Sequence, residues 1–268
     1  MKVHAIEKVL TGETNKLEKL AGDIAPEFVA ETIHKFRVVV KRLRAFLRLL
    51  AVQKEEPGIK LSKKFKQLYG LAGAIREAQL EISLFAKHKI VLPSYLTKLE
   101  LDMSHNKQQW LVHYSKHLLN DLEHSLADNN FTELSTNTLR LFFEQQLTAI
   151  KTITRTAPTD DHIHSCRKHL KDMLYIARII EKGWEEGYNE LASFPLLQLE
   201  ELAGKLGNYN DARIMLQQWM HFLPRMEQNN EAAAFQILCK EARLSQMASK
   251  KRVLVEIDGL LNKTAAWS

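Results

Sequence analysis

Two patterns of charged residues occur twice in the chain, in the same order. His34-x-x-Arg37-x-x-x-Lys41 recurs as His164-x-x-Arg167-x-x-x-Lys171, an offset of 130, and Arg178 matches Arg48 at the same offset. Leu68-x-Gly70-x-x-Gly73-x-x-Arg76-Glu77-Ala78 recurs as Leu202-x-Gly204-x-x-Gly207-x-x-Asn210-Asp211-Ala212, an offset of 134. On a helix turning about 100° per residue, His34, Arg37, Lys41, Arg44 and Arg48 share an arc of roughly 80° along about four turns. The apolar set Ile33, Phe36, Val40, Leu43, Leu47 and Leu50 lies on another side. His164, Arg167, Lys171 and Arg178 take the equivalent arc of the second copy, where Leu174 replaces the residue matching Arg44. Lys60, Lys63, Lys64 and Lys66 extend the first cluster toward the next helix.

An ordinary solvated helix face mixes signs and relieves repulsion with acid–base pairs four residues apart. Here like charges stand at that spacing (Arg37 and Lys41, Arg44 and Arg48), costing a few tenths of a kcal/mol per pair. Residues 34–66 hold eleven Lys or Arg against Glu55 and Glu56, a net +9, and the other 235 residues sum to −3. So local a field points to a polyanionic partner. Arg offers phosphate oxygens a planar fork, Lys a point charge, and His a donor that becomes cationic beside an anion. No aromatic residue lies among the cations from His34 to Arg48, whereas single-strand binders place stacking platforms there. A polyphosphate therefore fits better than RNA or DNA, although duplex binding needs no aromatics.

Other chemistry is weaker. Glu31-x-x-His34 and Asp161-x-x-His164 resemble half of a carboxylate-bridged metal centre, but both acids sit in a first helical turn, where the helix dipole accounts for them. His113, His117 and His124 share a face without the Glu of a zinc-protease motif. His162, His164 and Cys166 alternate and so splay around a helix. No Gly-x-x-x-x-Gly-Lys-Ser/Thr loop occurs, and nothing sets a nucleophile beside a base. The glycines of the second motif read as sites of close helix packing, with a kink as the other option. Expected are no catalytic residues, no metal and no cofactor.

Helices must carry these motifs. Ten Gly and six Pro among 268 residues, about 6%, are roughly half the usual share, which favours long helices over sandwiches and barrels. Between the prolines the pattern predicts eight helices, at about 2–20, 28–53, 60–88, 94–127, 136–156, 160–183, 190–221 and 229–262. The chain reads as all-α, one domain over 1–268 with internal repeats of about 1–130 and 131–268 joined near 128–130. No apolar run reaches the ~20 residues of a membrane span. No signal-peptide core opens the sequence, and Cys166 and Cys239 make no disulfide framework. The cytoplasm is the expected compartment, and oligomeric state is open.

The ordered set of four motifs resembles the CHAD family, the conserved histidine α-helical domain, in a stand-alone form over essentially the whole chain. Glu77 stands where that family usually has Asp, Ala72 where it has Leu, and Asp172 and Leu174 where a second basic cluster would be. The resemblance implies two four-helix bundles about a pseudo-two-fold axis and a basic central groove or pore that binds inorganic polyphosphate. It further implies polyphosphate-granule association and no catalysis. On that reading the contacts come from His34, Arg37, Lys41, Arg44, Arg48, Lys63, Lys64, Lys66, His164, Arg167, Lys171 and Arg178. The alternatives are a nucleic-acid or other polyanion binder and a metal-binding bundle.

Overall fold

The computed structural model describes residues 1–54, 61–115, 126, 130–227 and 230–267, without the side chains of Lys54 and Ala266. Lys60, His117, His124 and most of the joining segment 128–130 lie outside them. Every regular element among the described residues is helical. In chain order they are α1 (Val3–Ile24), α2 (Ala30–Lys54), α3 (Lys63–His88), α4 (Pro93–His113), α5 (Thr136–Thr154), α6 (Asp160–Gly183), α7 (Glu185–Glu190), α8 (Leu196–Phe222) and α9 (Asn230–Lys263). Single 3₁₀ turns occupy Leu191–Ser193, Leu223–Arg225 and Ala265–Trp267. The chain divides into two compact units, Met1–Thr138 and Leu139–Ser268.

In the first unit α2 packs on α1 and α3, and α3 on α4. Phe36 of α2 meets the Trp110 ring edge-on at 5.6 Å and the Phe65 ring at 6.3 Å, and all three side chains are buried. Glu13 of α1, also buried, accepts Arg42 Nε at 2.6 Å and Lys16 Nζ at 3.1 Å. A buried carboxylate without cations would carry a large desolvation cost, so Arg42 is committed to joining α1 and α2.

In the second unit α8 packs on both α6 and α9. Phe143, Phe194 and Trp267 form one aromatic cluster, with ring centroids 5.0 and 5.2 Å apart. At the start of α6, Thr159 caps the His162 amide while its own amide donates to His162 Nδ1. The two first-turn acids do more than oppose the helix dipole. Asp160 accepts Tyr209 Oη and Lys250 Nζ, each at 2.8 Å, and Gln246 Nε2 at 3.0 Å. It thereby ties α6 to α8 and α9. Burial alone would raise its pKa, but the hydrogen bonds from Lys250 and Tyr209 hold it below the usual carboxylate value.

Two element boundaries differ from the sequence reading by more than four residues, and α7 is a short helix that the eight expected did not include. The helix expected over 190–221 begins at Leu196, because the residue before Pro195 is pushed to extended backbone (Phe194 φ −81°, ψ 135°) and the chain breaks there. The helix expected over 94–127 is interrupted after His113, where Tyr114 is extended at φ −72°, ψ 127°, and most of its remainder, 116–125 and 127, lies outside the described residues.

Candidate functional site

Between Leu43 and Leu50, α2 is wrapped nearly all round by protein. Through 43–50, Leu43, Ala45, Phe46, Leu47, Leu49 and Leu50 are buried, and only Arg44 and Arg48 are exposed. The remaining opening is thus the cationic arc, continued by Lys41 and Arg37, both half-buried, and exposed His34. Cations off the arc have acid partners: Arg42 holds Glu13, and Lys35 stands 3.6 Å from Glu31.

Arg37 is held differently. Its Nη1 donates to the Tyr69 carbonyl at 3.1 Å, and its guanidinium lies 4.7 Å from the Tyr69 ring centroid. Gly73 makes this seat possible, since a Cβ there would overlap Arg37 Nη1 and stand 3.1 Å from Cζ. The first and second motifs of the repeat are therefore halves of one contact between α2 and α3. Gly70 is not explained by packing, because a Cβ there would meet nothing within 4 Å. At helical spacing Lys66, Gly73 and Arg76 share the α3 stripe that faces Arg37, and Lys63 borders it. Lys64 stands about 160° from Lys66, on the far side. All three lysines are exposed in the first turns of α3, which has no acid there and is capped by Ser62 accepting from the Phe65 amide. Cations at the positive end of a helix dipole are unfavourable on their own. Partial desolvation by the protein packed around it holds the exposed His34 imidazole below its ordinary pKa, and the Arg76 charge lowers it further against the opposing pull of Glu31.

In the second unit the copies of the two motifs also meet, on α6 and α8, with different chemistry. His164 Nδ1 lies 2.6 Å from Oδ1 of buried Asn210, the counterpart of Arg76. With that oxygen accepting, the proton sits on Nδ1 and Nε2 is the atom left to titrate. Burial, with the Lys168 charge, holds the His164 pKa low against this hydrogen bond. Arg167 approaches Gly207 as Arg37 approaches Gly73, but more loosely, 3.8 Å from a Cβ placed there. Half-buried Lys171 has its pKa lowered by burial and by Arg167 and Arg178. Arg178 pairs with Glu200, which occupies the position of Lys66 at the second motif's offset.

Lys168 and Lys182, both exposed, also fall on the α6 arc. Sequence reading missed them because it followed the repeat, and at their offset α2 has Val38 and Val52. The signal was their angle on the helix, within about 40° of His164. Tyr175 stands among them, so the aromatic-free description applies to α2 and not to α6. Beside Arg178 and Leu174 opens a cleft of about 360 Å³ walled by Leu197 and Tyr188. The apolar residue in place of Arg44 thus interrupts the second cationic strip.

The acids of the metal reading have other partners. Glu31 faces Lys35, and Asp161 accepts Arg213 Nη1 at 2.7 Å. No group of three or more His, Cys, Asp or Glu gathers among the described residues. His113 Nε2 lies 2.9 Å from Gln67 Nε2, and His162 belongs to its helix cap. Both cysteines are buried, and burial pushes the Cys166 thiol up to about 11. No helix among the described residues is long and apolar enough to cross a membrane.

The glycine geometry predicts opposite outcomes for equivalent substitutions. Gly207→Ala meets only ordinary contact and removes a mid-helix glycine, so it should stabilise by about 0.5–1 kcal/mol. Gly73→Ala must expel the Arg37 guanidinium from its carbonyl and ring, which offsets that gain and should leave the protein about 1 kcal/mol less stable. Urea unfolding of the two variants tests the pair, and equal shifts would mean that Gly73 is not the seat of Arg37.

A comparison with curated proteins finds no match. Among solved structures, the crystal structure of the CHAD domain from the plant Ricinus communis is similar over 98% of this chain and 91% of that one, with a TM-score of 0.67 at 18% identity. The family model described as the CHAD domain matches residues 9–220, a stretch that contains both copies of both motifs and the Arg–Gly and His–Asn contacts between them. On that match the chain belongs to the CHAD domain family.

Proposed function

We propose that this protein is a non-catalytic module that binds inorganic polyphosphate through the cationic faces of α2 and α6, in the cytoplasm and in association with polyphosphate granules. The observation that carries the reading is the α2 surface: through 43–50 only two arginines reach solvent from an otherwise buried helix. A side-chain strip of that kind offers charge and forked donors but no flat ring for a base, because the Tyr69 face is occupied by Arg37. Phosphate chains carry what such a strip recognises, and nothing more is needed. His34, Arg37, Lys41, Arg44, Arg48, Lys63 and Lys66 form the stronger face. In the second unit His164, Arg167 and Lys171 are joined by Lys168 and Lys182, while Arg178 is engaged by Glu200. Lys64, turned away on α3, is assigned a minor role. Nucleic acid is the second reading, favoured only by Tyr175 on the α6 arc.

Competition at physiological salt tests the assignment. Labelled long-chain polyphosphate should be displaced by unlabelled polyphosphate at far lower phosphate concentration than by single-stranded RNA or duplex DNA. Affinity should also fall steeply with salt, since each neutralised phosphate releases counterions. If the nucleic-acid rule transfers, six to ten contacts correspond to about a 10³–10⁵-fold loss between roughly 50 and 200 mM salt. Equal displacement by RNA would move the assignment to nucleic acid, and a nearly salt-independent affinity would remove the cationic faces from it.

A further inference from the structure

Helix α9 lies beyond residues 9–220, the stretch matched by the family, and its outward face is not that of a solvated helix. The inward face buries Phe235, Cys239, Val253 and Ile257 and presents Gln246 and Lys250 to Asp160. Diametrically opposite, Ile237, Leu244 and Val255 are 61%, 60% and 71% exposed. A helix that covers a core on one side is expected to be polar on the other. Single exposed apolar residues are common, but these three are aligned.

The line follows a coiled-coil seam. Ile237, Glu241, Leu244, Ala248, Lys251 and Val255 are separated by alternating steps of four and three residues, and all six are exposed. The seam is also chemically palindromic about residue 246. Folded back on an antiparallel copy of itself, Ile237 meets Val255, Glu241 meets Lys251, and bulky Leu244 meets small Ala248, each layer occurring twice. A parallel copy would instead stack Glu241 on Glu241 and Lys251 on Lys251. Neither Glu241 nor Lys251 takes part in an ion pair among the described residues that would satisfy it within its own chain.

We propose that the outward face of α9 is a self-association surface, on which a second copy of this chain lays its own α9 antiparallel, centred on residue 246. The arrangement is isologous, so it closes as a two-fold dimer. Six seam positions span about 27 Å at 1.5 Å per residue, which places the contact at the small end of stable interfaces, so a weak, concentration-dependent dimer is expected.

Sedimentation equilibrium of the 268-residue chain should show the mass rising from 30.9 kDa toward twice that value between about 1 and 500 µM. Leu244→Asp should weaken the dimer at least ~10-fold. Glu241→Lys and Lys251→Glu should each weaken it about tenfold, and the double variant Glu241→Lys/Lys251→Glu should restore it to within about threefold, because the layers are then re-paired with reversed sign. All the substituted positions are exposed, and circular dichroism checks that each variant remains helical. A monomer throughout the concentration range overturns the proposal and leaves the stripe to another partner. So does a dimer indifferent to Leu244→Asp, or single-charge losses that the double variant fails to reverse.

Discussion

Replacing Arg37 and Lys41 together by Ala is expected to weaken binding of long-chain polyphosphate about 100-fold at physiological salt, and the equivalent change at Arg167 and Lys171 only about tenfold. Hydrogen bonds to ionised groups are worth about 1.5–3 kcal/mol each, and two of them account for the first figure. The second is smaller because the surrounding charges differ. At matching positions the first unit has Lys66 and Arg76, the second Glu200 and Asn210. Arg178 is already paired with Glu200, and Lys171 is half-buried with its pKa depressed by burial and by its arginine neighbours. Lys168 and Lys182 offset part of the deficit, which keeps the second face in the binding picture. The cost to folding also differs. Sequence reading places the whole arc away from the core, so both double variants are expected to stay folded. The contact of Arg37 with the Tyr69 carbonyl and ring makes the first one lose about 1–2 kcal/mol of stability as well. Arg44→Glu separates the effects, because Arg44 is exposed and its reversal should cut affinity without lowering stability. Isothermal titration beside urea unfolding reads both quantities. Equal affinity losses for the two double variants would refute the asymmetry, and unchanged affinity for Arg44→Glu would remove the exposed strip from the binding surface.

The helices and the cationic arc were legible in the sequence because both depend on local spacing, which the chain states directly. What joins the two motifs was not. Arg37 reaches Tyr69, 32 residues on, and His164 reaches Asn210, 46 residues on. Periodicity along one helix does not say which face of a later helix lies opposite. The glycines show the same limit. A missing side chain reads alike whether a guanidinium fills the space, as at Gly73, or nothing does, as at Gly70 and Gly204. Asp161 looked sufficiently explained by the helix dipole, a local cause, and the larger task it shares with Asp160, holding α8 and α9, became visible only with those helices in place. Repetition itself misled at Lys168 and Lys182: comparing the copies position by position hides cations that only one copy carries.

Affinity for polyphosphate is expected to strengthen as pH falls from about 8.5 to below 6, and His34 and His164 supply the change. Phosphate oxygens favour the cationic imidazole, so each pKa is raised in the complex over the free protein. Raised in the complex means that the added binding energy is fully present below the free pKa and fades as pH climbs through the bound value. In the free protein both values are already depressed, by desolvation together with Arg76 at His34 and with Lys168 at His164. The strengthening should therefore continue to lower pH than for a histidine with the ordinary value of about 6.5. A tenfold tighter hold on the proton in the complex adds about 1.4 kcal/mol of binding per histidine. Two histidines that each respond to that extent strengthen affinity up to about 100-fold across the window. The two should not contribute alike. His164 is fixed in one tautomer by Asn210 and has only Nε2 to protonate, whereas His34 stands exposed beside Arg37 and Lys41, and phosphate there also screens the Arg76 charge that holds its pKa down. Lys and Arg stay charged throughout this range, so the comparison of wild type with His34→Gln, His164→Gln and the double variant isolates the imidazoles, on chains long enough that their titrating ends are a small fraction. The pH slope should fall most in His34→Gln and nearly vanish in the double variant. If the double variant keeps the wild-type slope, these histidines serve the α2–α3 and α6–α8 contacts alone, and the phosphate chain is held by the arginines and lysines without them.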